Sequence, residues 1–218
     1  MKAANTEKTK TQGERKRPAG RPRSEQSRMA ILDSAYALLK SRPVAAISTV
    51  HIARRAGVST ATVYRWWRSK EALLLEASMN KAGREIVLGS TGSPLERLRD
   101  YAFKVGRLFT GKHGIVTARL LTAIQDNDVL RQEFVEKFYL PQKRELWAIV
   151  KKAIEERQLP PQTEVTFFLD SIFGPMLMRL LLHHEEIDKG FVASAFDHAV
   201  AGTSAMSTTT KKRKSEAF

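Results

Sequence analysis

The sequence predicts an all-α protein built of two helical units with a polar arm at each end. Three observations predict it. Between residues 24 and 203 apolar side chains recur at the helical period, and no alternating run is long enough for a convincing strand. The segment GSTGSP, residues 89–94, interrupts that pattern and divides it into units over 24–88 and 93–203. Residues 1–23, ending KRPAGRPR, hold almost no apolar residue larger than alanine, and the close of the chain, STTTKKRKSEAF, reads the same way, so 1–23 and 204–218 are expected to be disordered basic arms.

The first helix is expected over 24–40, because Ile31, Ala35, Leu38 and Leu39 share one face. Ser48 or Thr49 caps a short second helix that stops at Gly57, and a third opens at Ser59 and ends near Trp67. Ser69 caps the fourth, with Glu71 in its first turn favoured by the helix dipole. Ser93-Pro94-Leu95-Glu96 reads as a capping box with proline at the first helical position. GKHG then separates that helix from one over 115–125. Asp126 or Asn127 caps the next, in which Pro141 either breaks the helix or starts a new one reaching Arg157. Pro160-Pro161 precedes a long apolar helix over 163–184, kinked or locally opened at Gly174-Pro175, and Asp188 caps a final helix through about Ala201.

With 218 residues, 42% of them hydrophobic, the chain can bury an ordinary core. The absence of cysteine excludes disulfides, thiolate zinc sites and cysteine nucleophiles. No run of 18 consecutive apolar residues occurs and residues 1–28 are basic and polar, so neither a membrane span nor a secretory signal is expected, which implies a soluble, cytoplasmic protein. Of the net charge of +14, residues 1–28 contribute +6 and residues 29–80 contribute +4, whereas 81–206 contribute only +1 and 207–218 contribute +3. A basic unit joined to an electrically balanced one suggests that the first meets a polyanion.

The stretch ISTVHIARRAGVSTATVYRWWRSKEAL has the geometry of a helix-turn-helix: a short helix, a glycine turn and a second short helix. Ala53 is small enough for the two to cross closely, Gly57 permits the turn, and Val58 and Val63 clamp the pair onto the first helix. Pointing outward from the second are Thr60, Ala61, Thr62, Tyr64, Arg65 and Trp66. Thr60, Ala61, Thr62 and Arg65 are expected to read bases in a major groove of double-stranded DNA. Tyr64, Trp66 and Lys70 carry donors suited to phosphates, and Ser48 and Thr49 offer hydroxyls to another. Of the two adjacent tryptophans, Trp67 is assigned to the core. Arg21 and Arg23 lie in a Gly-Arg-Pro context similar to an AT-hook core, but Ala19 replaces its first arginine, so they are read as a basic extension touching the minor groove or phosphates.

Through ILDSAYALL and IARRAGVSTATVYRWWRSKEALL the sequence resembles the TetR family of bacterial transcriptional regulators, and FYLPQKRELW and FGPMLMRLLL resemble one branch of its C-terminal part. The resemblance implies a homodimeric repressor with an N-terminal DNA-binding domain and a C-terminal ligand-sensing and dimerisation bundle. It also places Tyr64 and Lys70 on phosphates. Bundles can house ligands between helices, and Phe103, His113, Gln125, Trp147, Phe173 and Met176 are the candidates for an unidentified small-molecule effector, with Arg179 a further polar anchor. Phe173, Leu177 and Leu181 are expected to face a second copy of the chain, since their helix carries more apolar surface than one monomeric stripe needs. His183, His184, Glu185 and Glu186 form the only cluster of metal-ligand types and read better as a solvated helix end. No nucleophile with its base and no phosphate loop occurs, so neither enzymatic activity nor a cofactor is expected. The alternative to an effector-released repressor is a weakly specific DNA-binding protein without an effector.

Overall fold

A computed structural model of the chain describes the backbone of residues 21–182 and 185–215, and the side chains of 25–182 and 185–203. No strand occurs among the described residues. The α-helices among the described residues are α1 (Arg21–Leu39), α2 (Thr49–Ala56), α3 (Thr60–Trp66), α4 (Lys70–Glu85), α5 (Pro94–Leu108), α6 (Gly111–Ala123), α7 (Asp128–Phe134), α8 (Leu140–Glu155), α9 (Val165–Leu182) and α10 (Lys189–Ser215). The expected arm over 1–20 lies outside the described residues, whereas Arg21 and Arg23 stand on the backbone of α1. The helical backbone of α10 continues through 204–215, where the sequence reading places a tail.

Local chemistry starts the helices. Ser48, Ser59, Ser69, Ser93 and Asn127 each accept a backbone N–H from the first turn of α2, α3, α4, α5 and α7. Each such cap contributes about 1 kcal/mol relative to alanine. At Ser93 the capping box is complete, because Glu96 accepts the Ser93 N–H at 2.8 Å, and these hydrogen bonds hold the Glu96 carboxyl below its usual range. Asp188 likewise accepts the Phe191 N–H at 2.7 Å at the start of α10.

At two expected break points one helix gives way to the next, α5 ending at Leu108 just before GKHG and α8 starting at Leu140 with Pro141 in its first turn. GKHG forms the opening of α6, and its second glycine serves a close approach. A Cβ on Gly114 would sit 2.0 Å from the Phe109 carbonyl oxygen, which no side chain tolerates. Before Pro141 the chain makes one wide π-helical turn, Val135–Tyr139, and continues into α8. Proline lacks an N–H and its ring crowds the carbonyl four residues back, so a locally widened turn lets the chain keep its direction.

Packing makes two cores and a bridge between them. Ile31, Leu32, Ala35, Leu39, Ile52, Ala53, Val63, Trp67, Leu73 and Leu74 close the first around α1–α4, joined by Val116 and Leu120 from α6. The second joins α5, α8, α9 and α10 through residues such as Leu98, Tyr101, Val150, Phe168, Ile172, Met176 and Phe196. Leu75, Ile124 and Leu130 link α4 to the α6–α7 region. Helix α9 is long and apolar enough by length and composition to cross a membrane, with a mean hydropathy of 1.6. Its apolarity has a structural cause: Phe168, Leu169, Ile172, Met176 and Leu180 are core, while Phe167, Leu177, Met178, Leu181 and Leu182 are exposed.

Candidate nucleic-acid interface

The helix-turn-helix is made by α2 and α3. Gly57 closes α2 in the left-handed region, at φ 67°, a conformation that costs glycine little because it has no Cβ. Its N–H and that of Val58 then satisfy the last carbonyls of α2, and the chain turns directly to the Ser59 cap of α3. Val63 and Trp67 are the anchors of α3, 1% and 4% exposed. The indole N–H of Trp67 donates to the Glu76 carboxylate at 2.7 Å, so burial leaves no orphaned donor there. Burying side chains of this size contributes roughly 1.5–3 kcal/mol each.

Opposite those anchors, Ala61, Tyr64, Arg65 and Trp66 are exposed, and Thr60 and Thr62 are half-buried. Tyr64 is 56% exposed and Trp66 40%, an unusual amount of aromatic surface for so short a helix. The Thr62 N–H donates to Ser59 Oγ, and the two hydroxyls lie 2.9 Å apart. Lys70 donates to the Val44 carbonyl at 3.2 Å and lies 3.6 Å from the Glu71 carboxylate, so its ammonium is held beside the short 3-10 turn Val44–Ala46. Ser48 spends an oxygen lone pair on the His51 N–H and keeps its hydroxyl hydrogen to donate.

Thr49 departs from the sequence reading. It is buried, and its Oγ1 accepts the Tyr64 hydroxyl at 3.4 Å, so it backs Tyr64 instead of facing a phosphate. Arg42, Arg54, Arg55 and Arg68 are exposed on the same unit, and the sequence reading passed over them. The basic excess of residues 29–80 was their only signal.

These observations describe a capped helix that offers small, hydroxyl and cationic groups on one side and is anchored to a core on the other. A family model described as bacterial regulatory proteins, tetR family, matches residues 31–77, and one for the tetracyclin repressor-like C-terminal domain matches 88–199. The chain belongs to the TetR family. It is 31% identical over 190 residues to the uncharacterized HTH-type transcriptional regulator YdeS of Bacillus subtilis, covering 87% of this chain and 96% of YdeS. With EthR of Mycobacterium tuberculosis it shares 44% identity over 61 residues, 28% of each chain. Its fold is similar to the crystal structure of the TetR family regulator SCO0332, with a TM-score of 0.70 and 24% identity over 81% of this chain and 98% of that one. FadR of Bacillus subtilis, solved in complex with stearoyl-CoA, is similar at a TM-score of 0.66 and 22% identity, over 80% of this chain and 98% of FadR. The chain is thus a DNA-binding transcriptional regulator with a TetR-type N-terminal helix-turn-helix.

In the C-terminal unit of this TetR-family chain, the six expected effector residues do not form one site. Met176 is buried, Phe103 and Phe173 pack against the same core, and Phe173 meets Tyr101 edge-on at 6.0 Å. His113 instead reaches the other unit, where its Nδ1 is hydrogen-bonded to the Tyr36 hydroxyl of α1. Gln125 is exposed and donates to the Leu121 carbonyl. Trp147 is 41% exposed, with the Lys151 ammonium 4.7 Å from its ring centroid. Gln125 lies in the turn after α6 and Trp147 on an exposed face of α8, so both are corrected to surface residues. A cavity of about 590 Å³ opens elsewhere, among Phe109, Thr110, Gly111, Arg179, Leu180 and residues 185–188. His183 and His184 lie outside the described residues, while Glu185 pairs with Arg179, whose guanidinium lies 3.4 Å above the Phe191 ring centroid.

Proposed function

We propose that this regulator is a cytoplasmic homodimeric repressor that binds a pseudo-palindromic operator and leaves it when a small molecule occupies the C-terminal unit. The observation that carries the reading is the division of α3: Val63 and Trp67 enter the core, and Ala61, Tyr64, Arg65 and Trp66 remain outside on the basic unit. Thr60, Ala61, Thr62 and Arg65 are the base readers in this reading. Tyr64, Trp66, Lys70 and Ser48 position α3 through phosphates. Arg21 and Arg23 supplement them beside the site.

Effector release draws its support from the construction of the chain. The cavity abuts the α5–α6 junction, and α6 supplies Val116 and Leu120 to the core of the DNA-binding unit. A molecule wedged at that junction acts on a helix that both units share. That FadR was solved with stearoyl-CoA shows that a protein of this fold accommodates an amphipathic ligand.

Selection from random duplexes tests the operator, followed by a ligand panel scored for release. A two-fold site with half-sites about one helical turn apart is expected. Arg65→Ala should relax selection at one base position per half-site at a cost on the order of 1–3 kcal/mol. Uniform weakening on every sequence would make Arg65 a backbone contact.

A further inference from the structure

The end of α3 is tied to α1 and α4 by a group that none of the expected contacts includes. Arg28, on α1, is hydrogen-bonded to Glu76 Oε1 of α4 and lies 3.2 Å from Glu25 Oε1. The other oxygen of Glu76 accepts the Trp67 indole N–H at 2.7 Å. The guanidinium carbon lies 5.6 Å from the ring centroid of Trp66 and 6.0 Å from that of Trp67. One cation therefore meets two carboxylates along its edges and two indoles within cation-π range. The planar fork of arginine can do this, and the compact ammonium of lysine cannot.

The charge balance decides what this arrangement is for. Two carboxylates face one guanidinium, so a DNA phosphate approaching Arg28 meets no net positive charge from the group. Arg28 is a poor phosphate anchor by that account. Trp66, however, is the last residue of α3, and its ring is large, exposed and held on the Arg28 side. Without that contact Trp66 keeps only its tilted contact with the Trp67 ring, 6.2 Å between centroids, and ordering its side chain on DNA then costs affinity.

We propose that Arg28 is a positioning residue for DNA recognition: clamped by Glu76, it pre-orders Trp66 and sets how the C-terminal end of α3 meets the duplex. This rests on the reading that α3 enters the groove. The test measures duplex affinity over a range of salt for the wild-type protein, Arg28→Met, Arg28→Lys, Trp66→Ala and the double variant Arg28→Met/Trp66→Ala. Pre-ordering two protomers corresponds to a loss of about tenfold for Arg28→Met at unchanged salt slope, and that loss should largely vanish in the Trp66→Ala background. Arg28→Lys should recover only part of it, and it carries the same comparison if Arg28→Met does not fold. A salt slope lowered by about two would make Arg28 a direct phosphate contact on each protomer and overturn the proposal. Losses that add in the double variant, or full affinity in both Arg28 variants, would overturn it too. Arg65→Ala in the same assay separates the two ideas: if it leaves binding and selection intact, the placement of α3 has failed, and if it alone weakens binding, the role of Arg28 has failed.

Discussion

Two adjacent tryptophans at the end of α3 behave in opposite ways, and the end of the helix falls between them, since Trp66 is its last residue and Trp67 follows in extended backbone at φ −129° and ψ 127°. Trp67 completes the core and gives its N–H to Glu76, whereas Trp66 faces solvent and the Arg28 cation. Burial acts on another aromatic side chain in a way that pH can read. Tyr101 is 5% exposed, and burial, helped by the Glu145 carboxylate, pushes its hydroxyl up to about 12. Tyr36 is raised to about 12 as well, by burial first and Glu85 second. A phenol whose folded pKa lies above its unfolded value near 10 favours the folded state fully below pH 10, and the benefit is lost as pH climbs through 12. Tyr101→Phe should therefore flatten the fall in stability between pH 10 and 12 by on the order of 2–3 kcal/mol, with Tyr36 supplying what remains. Urea unfolding at both ends of that window measures it, and an undiminished fall would show that Tyr101 does not titrate there. The serine caps were readable in advance because each bonds a backbone N–H three residues on. The burial of Thr49 behind Tyr64, fifteen residues away, was not.

Helix α9 shows how one element serves two masters. Its core stripe needs only part of its apolar surface, yet Phe167, Leu177, Met178, Leu181 and Leu182 stay between 39% and 66% exposed. Such a patch on an isolated chain marks an interaction face. In the proposed dimer this face of α9 meets its symmetry mate, Leu177 and Leu181 lie in the contact, and the half-buried Phe173 contributes from its edge. Leu177→Glu and Leu181→Glu should each yield monomers by sedimentation, with unchanged helical circular dichroism. Operator affinity should fall by a hundredfold or more, because the second half-site is no longer tethered. A dimer that survives both substitutions would place the contact elsewhere. Elements also explain the form the break points take. GKHG opens α6 after the break, where Gly114 lets the Phe109 carbonyl approach, and Pro141 stands in the first turn of α8 behind a turn that widens to pass its ring.

Across the whole molecule the charge and the cores divide differently. Residues 1–80 carry +10 of the +14, so DNA affinity should depend steeply on salt, with about 0.9 in the slope of log K against log salt for each phosphate neutralised. Lys70→Ala on both protomers should lower that slope by about two and leave sequence preference intact. An unchanged slope in a salt titration would remove Lys70 from the phosphate contacts. The cores do not follow the same line, since Val116 and Leu120 of α6 belong with α1–α4 and Tyr36 reaches across to His113. The sequence by itself determined the all-helical class, the caps, the Gly57 turn and the outward set on α3, because each depends on neighbours a few residues apart along one helix or turn. Only the tertiary structure decided that α6 is shared, that Gln125 and Trp147 face outward, and that Arg28 finds Glu76 forty-eight residues away. Those outcomes depend on which helix faces are pressed together, and that choice is made by packing between elements distant in the chain.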